Sequence, residues 1–113
     1  MKHEMNLHTA PFEMIKKGSK TIEMRLHDEK RSLINIGDYI EFNNVVTHEK
    51  MLCVVKNLYY YNSFEELYLV HDKISIGYKK DEVALPEDML LYYSKEKIER
   101  YGVVGIEIKV VEK

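Results

Sequence analysis

The sequence predicts an α+β domain of about five or six strands and three or four short helices, with a central sheet able to curl into a barrel. Three observations carry this. Period-two alternation opens and closes the chain, at Met1–His8 and Val103–Val111, so strands stand at both ends. Between them, short stretches with helical spacing carry their own start and stop signals. No internal repeat, Pro/Gly-rich linker or biased tract divides the 113 residues, and a chain of this length has room for one core, so a single domain over 1–113 is expected.

Taken in order, the first strand places Met1, His3, Met5 and Leu7 on one face and Lys2, Glu4, Asn6 and His8 on the other. Thr9 is a candidate N-cap, Pro11 sits near the first helical position, and Phe12, Met14 and Ile15 form a short apolar face that Gly18 is placed to end. Thr21 to Leu26 alternates without a fault, sending Ile22, Met24 and Leu26 one way and Thr21, Glu23 and Arg25 the other. His27 to Ser32 reads as a polar loop, Gly37-Asp38 as a turn, Tyr39 to Phe42 as a strand, and Asn43-Asn44 as a second turn. Val45–Thr47 and Met51–Tyr61 are read as further strands, with the three tyrosines Tyr59, Tyr60 and Tyr61 expected mainly in core packing. Ser63 and Glu66 have capping-box spacing ahead of Phe64, Leu67, Tyr68 and Val70. Pro86 is expected to open a helix carrying Met89, Leu90, Tyr92 and Tyr93, and Ser94 to cap another that stops at Gly102.

Composition narrows the function classes. At 45% hydrophobic and 32% charged, with nine Tyr and two Pro, the chain is globular and not disordered or fibrous. Its longest apolar runs, such as Met51–Val55, are far too short to span a bilayer, and no leader pattern opens it, so a cytoplasmic protein without a membrane partner is expected. The single Cys53, inside an apolar run, is read as a buried small hydrophobe. Histidines His3, His8, His27, His48 and His71 lack metal-ligand spacing, and no P-loop or dinucleotide-type glycine pattern occurs, so neither a metal nor a cofactor is expected. The net charge is −2, yet from Lys16 to Arg31 six basic residues face three acids, a local excess of +3. Such a chain will not coat duplex nucleic acid but has a local seat for an anion.

The densest chemistry is Gly18-Ser19-Lys20-Thr21-Ile22-Glu23-Met24-Arg25. Strand pitch sets Thr21, Glu23 and Arg25 roughly 7 Å apart, one after the next, on a shared face that the long side chain of Lys20 can reach. An ammonium, a hydroxyl, a carboxylate and a guanidinium on one rim suit an anionic or polar ligand. If Lys20 and Arg25 seat an anion, replacing both by Ala abolishes affinity for it and leaves the melting temperature nearly unchanged, since exposed charges contribute little to folding.

The run Pro11 to Arg25, with Asp28-Glu29-Lys30-Arg31, Ile36 to Phe42, Tyr92-Tyr93-Ser94 and Tyr101 to Ile106, resembles the ASCH (activating signal cointegrator homology) family over essentially the whole chain. The resemblance implies a PUA-like β-barrel with a cleft lined by the Gly-x-Lys-Thr-x-Glu-x-Arg motif. It implies RNA or a nucleotide or nucleoside derivative as ligand. One branch of this superfamily deacetylates acetylcytidine with a Lys, a Thr and a Glu. The lysine matches Lys20, the threonine position holds Glu23 here, and an acid in the later loop corresponds to Glu82. Thr21 lies too far along the strand to replace the missing hydroxyl. Other members are ribonucleases, for which Glu23, Lys20 and Arg25 would supply base, acid and phosphate stabilisation. The expected ligand contacts are therefore Lys17, Lys20, Thr21, Glu23, Arg25 and Arg31, and on an enzymatic reading Lys20, Glu23 and Glu82 carry the chemistry. A module that recognises a protein partner is the remaining alternative. The chain is expected as a monomer or weak homodimer.

Overall fold

Alternation at the start of the chain produces β1 (Lys2–Leu7), whose Met5 and Leu7 are buried and whose Lys2, Glu4 and Asn6 are exposed, in the computed structural model, which describes residues 1–112. Helix α1 (Thr9–Lys17) follows at once. His8, not Thr9, holds its N-cap position, with extended backbone and no side-chain cap. Thr9 is drawn away from that role because its hydroxyl reaches the Asn44 carboxamide oxygen at 3.4 Å. Gly18 ends the helix with a left-handed φ of 90°, and the Ser19 and Lys20 amides both close on the Met14 carbonyl. That tight exit aims Lys20 back toward the sheet.

Strand β2 (Ile22–Leu26) is followed by a 3-10 turn at Arg31–Leu33 and then by β3 (Tyr39–Asn44). The expected strand at Val45–Thr47 is a turn. The Asn44 side-chain oxygen accepts from the Val46 and Thr47 amides at 2.9 and 3.2 Å, removing donors a strand would need. Strand β4 (Lys50–Tyr61) is the longest element, and its two register shifts against the last strand supply the local bends that let a sheet curl. Helix α2 (Phe64–Val70) is capped by Ser63, whose hydroxyl accepts from the Glu66 amide at 3.2 Å. The return half of the box lands one residue early, on the Asn62 amide. Pro86–Leu91 forms a 3-10 turn and not the expected α-helix, because these six residues ahead of the tyrosines do not repay a full helical nucleus. Ser94 caps α3 (Lys95–Tyr101), Gly102 ends it, and β5 (Val103–Glu112) completes the sheet.

The strand order is β1-β3-β4-β5-β2, with β1 and β3 parallel and every other pair antiparallel. The two edge strands meet through Arg25, whose Nη2 donates to the Asn6 carbonyl at 3.0 Å, so the sheet is curled into a half-barrel. One apolar cluster fills the curl, built on Phe12, Ile40, Phe42, Val55, Val104 and Ile106. A second, with Ile22, Leu26, Phe64, Leu67 and Val103, packs the helices on the other side. Cys53 lies in the first cluster, where burial pushes its thiol up to about 12. Of the tyrosine run, Tyr61 packs half-buried against the second cluster, whereas Tyr59 and Tyr60 do not join the core. Tyr59 donates to Glu107 at 2.7 Å, Tyr61 meets His71 at 2.8 Å, and Tyr60 points the opposite way and is 54% exposed. Alternation along β4, combined with phenol groups that need partners, overrides the aromatic content. No helix among the described residues is long and apolar enough to cross a membrane.

Candidate functional site

The polar face of β2 is not solvated. The side chains of Lys20, Glu23 and Arg25 are 9%, 5% and 12% exposed and form one ionic triad. Lys20 Nζ lies 2.8 Å from Glu23 Oε1, and Arg25 Nε donates to Glu23 Oε2 at 2.7 Å. Burial alone would push the Glu23 carboxyl up, but the two adjoining cations hold it below the usual carboxylate range. For Arg25, burial works against its charge, while Glu23, and to a lesser degree Tyr93, keep the guanidinium strongly cationic. Both carboxylate oxygens are thus taken, and the triad carries two positive charges against one negative. The expectation that Lys20 and Arg25 are dispensable for folding falls with this burial, since unpairing buried charges is costly.

The triad forms the floor of a cleft of about 520 Å³, within the size range of small-molecule sites. The loop between α2 and the Pro86 turn covers one side. Its Ser75 carbonyl accepts from the Thr21 and Ile22 amides, both at 2.9 Å, and Gly77 packs its bare α-carbon on the Lys20 stem. A Cβ at Gly77 would stand 3.2 Å from Lys20 Cδ. Tyr68 and Tyr78 share a hydrogen bond of 2.8 Å, and Tyr78 donates to Asp88 at 2.7 Å, which pins the loop to the Pro86 turn. Burial and these bonds push the Tyr78 phenol well up, so it stays protonated. Opposite, Tyr93 stacks on Phe64 with 6.0 Å between ring centres, and Tyr92 stands exposed at the mouth.

Other residues expected at the site are more dispersed. Thr21 is half-buried just outside β2, and the cleft is lined without it. Lys17 is exposed in the last turn of α1, also away from the lining. Arg31 pairs with Asp28 at 2.8 Å in the turn after β2 and is likewise outside the lining. Glu82 does line the cleft, exposed, with its carboxylate accepting from the Lys79 amide at 2.6 Å. Sequence reasoning missed Gly77, Tyr68 and Tyr78 as cleft walls and placed Tyr92 and Tyr93 on a helix face. Aromatic residues at helical spacing read as core, and only the Tyr-Tyr pair beside Pro86 offered a local signal. Among the described residues no group of three His, Cys, Asp or Glu is arranged to hold a metal.

A curled five-stranded half-barrel sheet with several short helices is consistent with a PUA-like α+β domain. The ASCH domain profile matches residues 5–112, and the chain belongs to that family, which is often linked to RNA binding. The crystal structure of the hypothetical protein PH0355 is similar, at 35% identity and a TM-score of 0.83, with 98% of this chain and 100% of that chain covered. The solution NMR structure of PF0455 from Pyrococcus furiosus is 36% identical over the whole of both chains, with a TM-score of 0.72. An ASCH domain from Lactobacillus crispatus shares the fold at 14% identity and a TM-score of 0.63, covering 99% of this chain and 80% of that one. No curated protein matches the chain.

Proposed function

We propose that this ASCH domain binds RNA or a modified nucleoside in the cleft floored by Lys20, Glu23 and Arg25. The observation that carries the reading is the buried triad itself. Its surplus positive charge and its remaining N–H donors face a cleft walled by tyrosines, which suits a ligand with flat apolar faces and an acceptor edge or phosphate. Each Glu23 oxygen already accepts from a cation, and its lowered pKa makes it a weak base. Binding is therefore favoured over hydrolysis on the same cleft. The test is a thermal-shift series with nucleosides and short single-stranded RNAs, since a ligand bound only by the native state raises its stability. The wild type should shift upward, and the triple variant Lys20→Met/Glu23→Leu/Arg25→Met should not. No shift of the wild type with any of these compounds would sink the reading.

A further inference from the structure

A second concavity, of about 540 Å³, opens where β2, β4 and α3 end. Its most exposed ring is Tyr60, the one member of the tyrosine run whose hydroxyl has no hydrogen-bond partner among the described residues. The His27 ring lies against it, 4.7 Å between centres, held by the His27 amide bonding to the Gly102 carbonyl at 3.0 Å. Arg100 sits over the Tyr101 ring at 5.2 Å. Glu66 and Glu99 complete the wall.

Sheet register relates this groove to the triad. Arg25 pairs with Val104, and Val104 pairs with Tyr60, so all three project from the same face. Two strand spacings, about 10 Å, separate the Arg25 and Tyr60 backbones. Val104 itself is buried in the core, so a strand seated by its phosphate or base edge on the triad must pass around that residue, over a span of that order, to meet Tyr60. The charges differ between the two places. The triad has a surplus cation, whereas the groove sets two carboxylates against one guanidinium. A phosphate is disfavoured there. A base is not, because carboxylates accept from amino groups and an exposed tyrosine offers a stacking face.

Building on the proposed function, we infer that the Tyr60–His27 groove is a second base subsite for a single-stranded RNA whose neighbouring portion occupies the triad cleft, and that it takes a base bearing an exocyclic amino group. The ligand is then an oligonucleotide and not a free nucleoside. Fluorescence anisotropy with labelled cytidine and uridine hexamers, alongside competition by cytidine monophosphate, tests this. The cytidine hexamer should bind more tightly than the uridine hexamer. Tyr60→Ala should weaken the cytidine hexamer roughly tenfold, the usual worth of one stacked base, and leave the monophosphate unchanged. Tyr60→Phe should restore binding, since the face and not the hydroxyl does the stacking. The residue is exposed, so neither change threatens the fold. Hexamer affinity that survives Tyr60→Ala overturns the inference. Hexamer affinity that depends on Tyr60 but survives the triple triad variant upholds the groove and removes the cleft reading. Failure of the wild type to bind any hexamer removes both, and a labelled oligolysine that binds in a Tyr60-dependent way in its place would assign the groove to a basic protein segment.

Discussion

Glu23 is buried as an ion only because Lys20 and Arg25 each occupy one of its oxygens. The same pairing makes each cation dependent on the carboxylate, so the three residues behave as one unit. Removing the carboxylate strands two cations in a site that water scarcely reaches, whereas removing one cation leaves a balanced pair. Glu23→Ala should therefore cost about 3 kcal/mol in urea unfolding and lower the melting temperature by roughly 10 °C, and Lys20→Ala should cost less. Replacing all three by apolar residues of similar size removes the charges together with their desolvation cost. Lys20→Met/Glu23→Leu/Arg25→Met should consequently unfold near the wild-type midpoint while losing the ligand. A Glu23→Ala protein as stable as wild type would show that the triad is solvated in water and that the buried geometry does not hold.

At the scale of elements, the cleft depends on the loop between α2 and the Pro86 turn more than on any helix. Gly77 has φ +112°, and a Cβ there would press on a Lys20 stem that is already fixed by its bond to Glu23. Gly37 has a similar φ of +94° with open space around it. Alanine at either position costs roughly 1–2 kcal/mol of backbone strain. Only Gly77→Ala should also displace the ammonium, so it alone should weaken nucleotide binding when the two variants are compared by thermal shift. Equal binding by both would remove Gly77 as the residue that positions Lys20. This long-range dependence also explains what could be read from the sequence. Caps at Gly18, Ser63, Ser94 and Gly102 are local chemistry and were legible, as was the alternation of β1, β2 and β5. Val45–Thr47 was misread because a single side chain, Asn44, outcompeted the β-branched residues for their amides. The Lys20, Glu23 and Arg25 cluster was visible as residue types on one strand, but its burial was not. That burial comes from Asn6, Ser75 and Gly77, which no local spacing connects to β2.

For the whole molecule, curling brings the edge strands β1 and β2 together at the basic segment, while the rest of the chain carries the acidic surplus. Long-range attraction to a polyanion is then weak, because a net charge of −2 opposes it and exposed charges are screened beyond about 10 Å in ordinary buffers. Affinity must come from the few cations that touch the ligand. Arg31 is already neutralised by Asp28, so on the proposed reading Lys20, Arg25 and the exposed Lys79 are the cleft cations that would face a phosphate. Counterion release from a single strand scales at about −0.7 per neutralised phosphate, so up to three contacts give a slope of about −2 or shallower in log affinity against log salt. Titrating a labelled single-stranded RNA between about 50 and 200 mM salt should return that shallow slope, and a duplex of the same sequence should bind much more weakly. A slope near −4, or a duplex that binds as well as the single strand, would require an extended basic surface and would contradict recognition through a local seat.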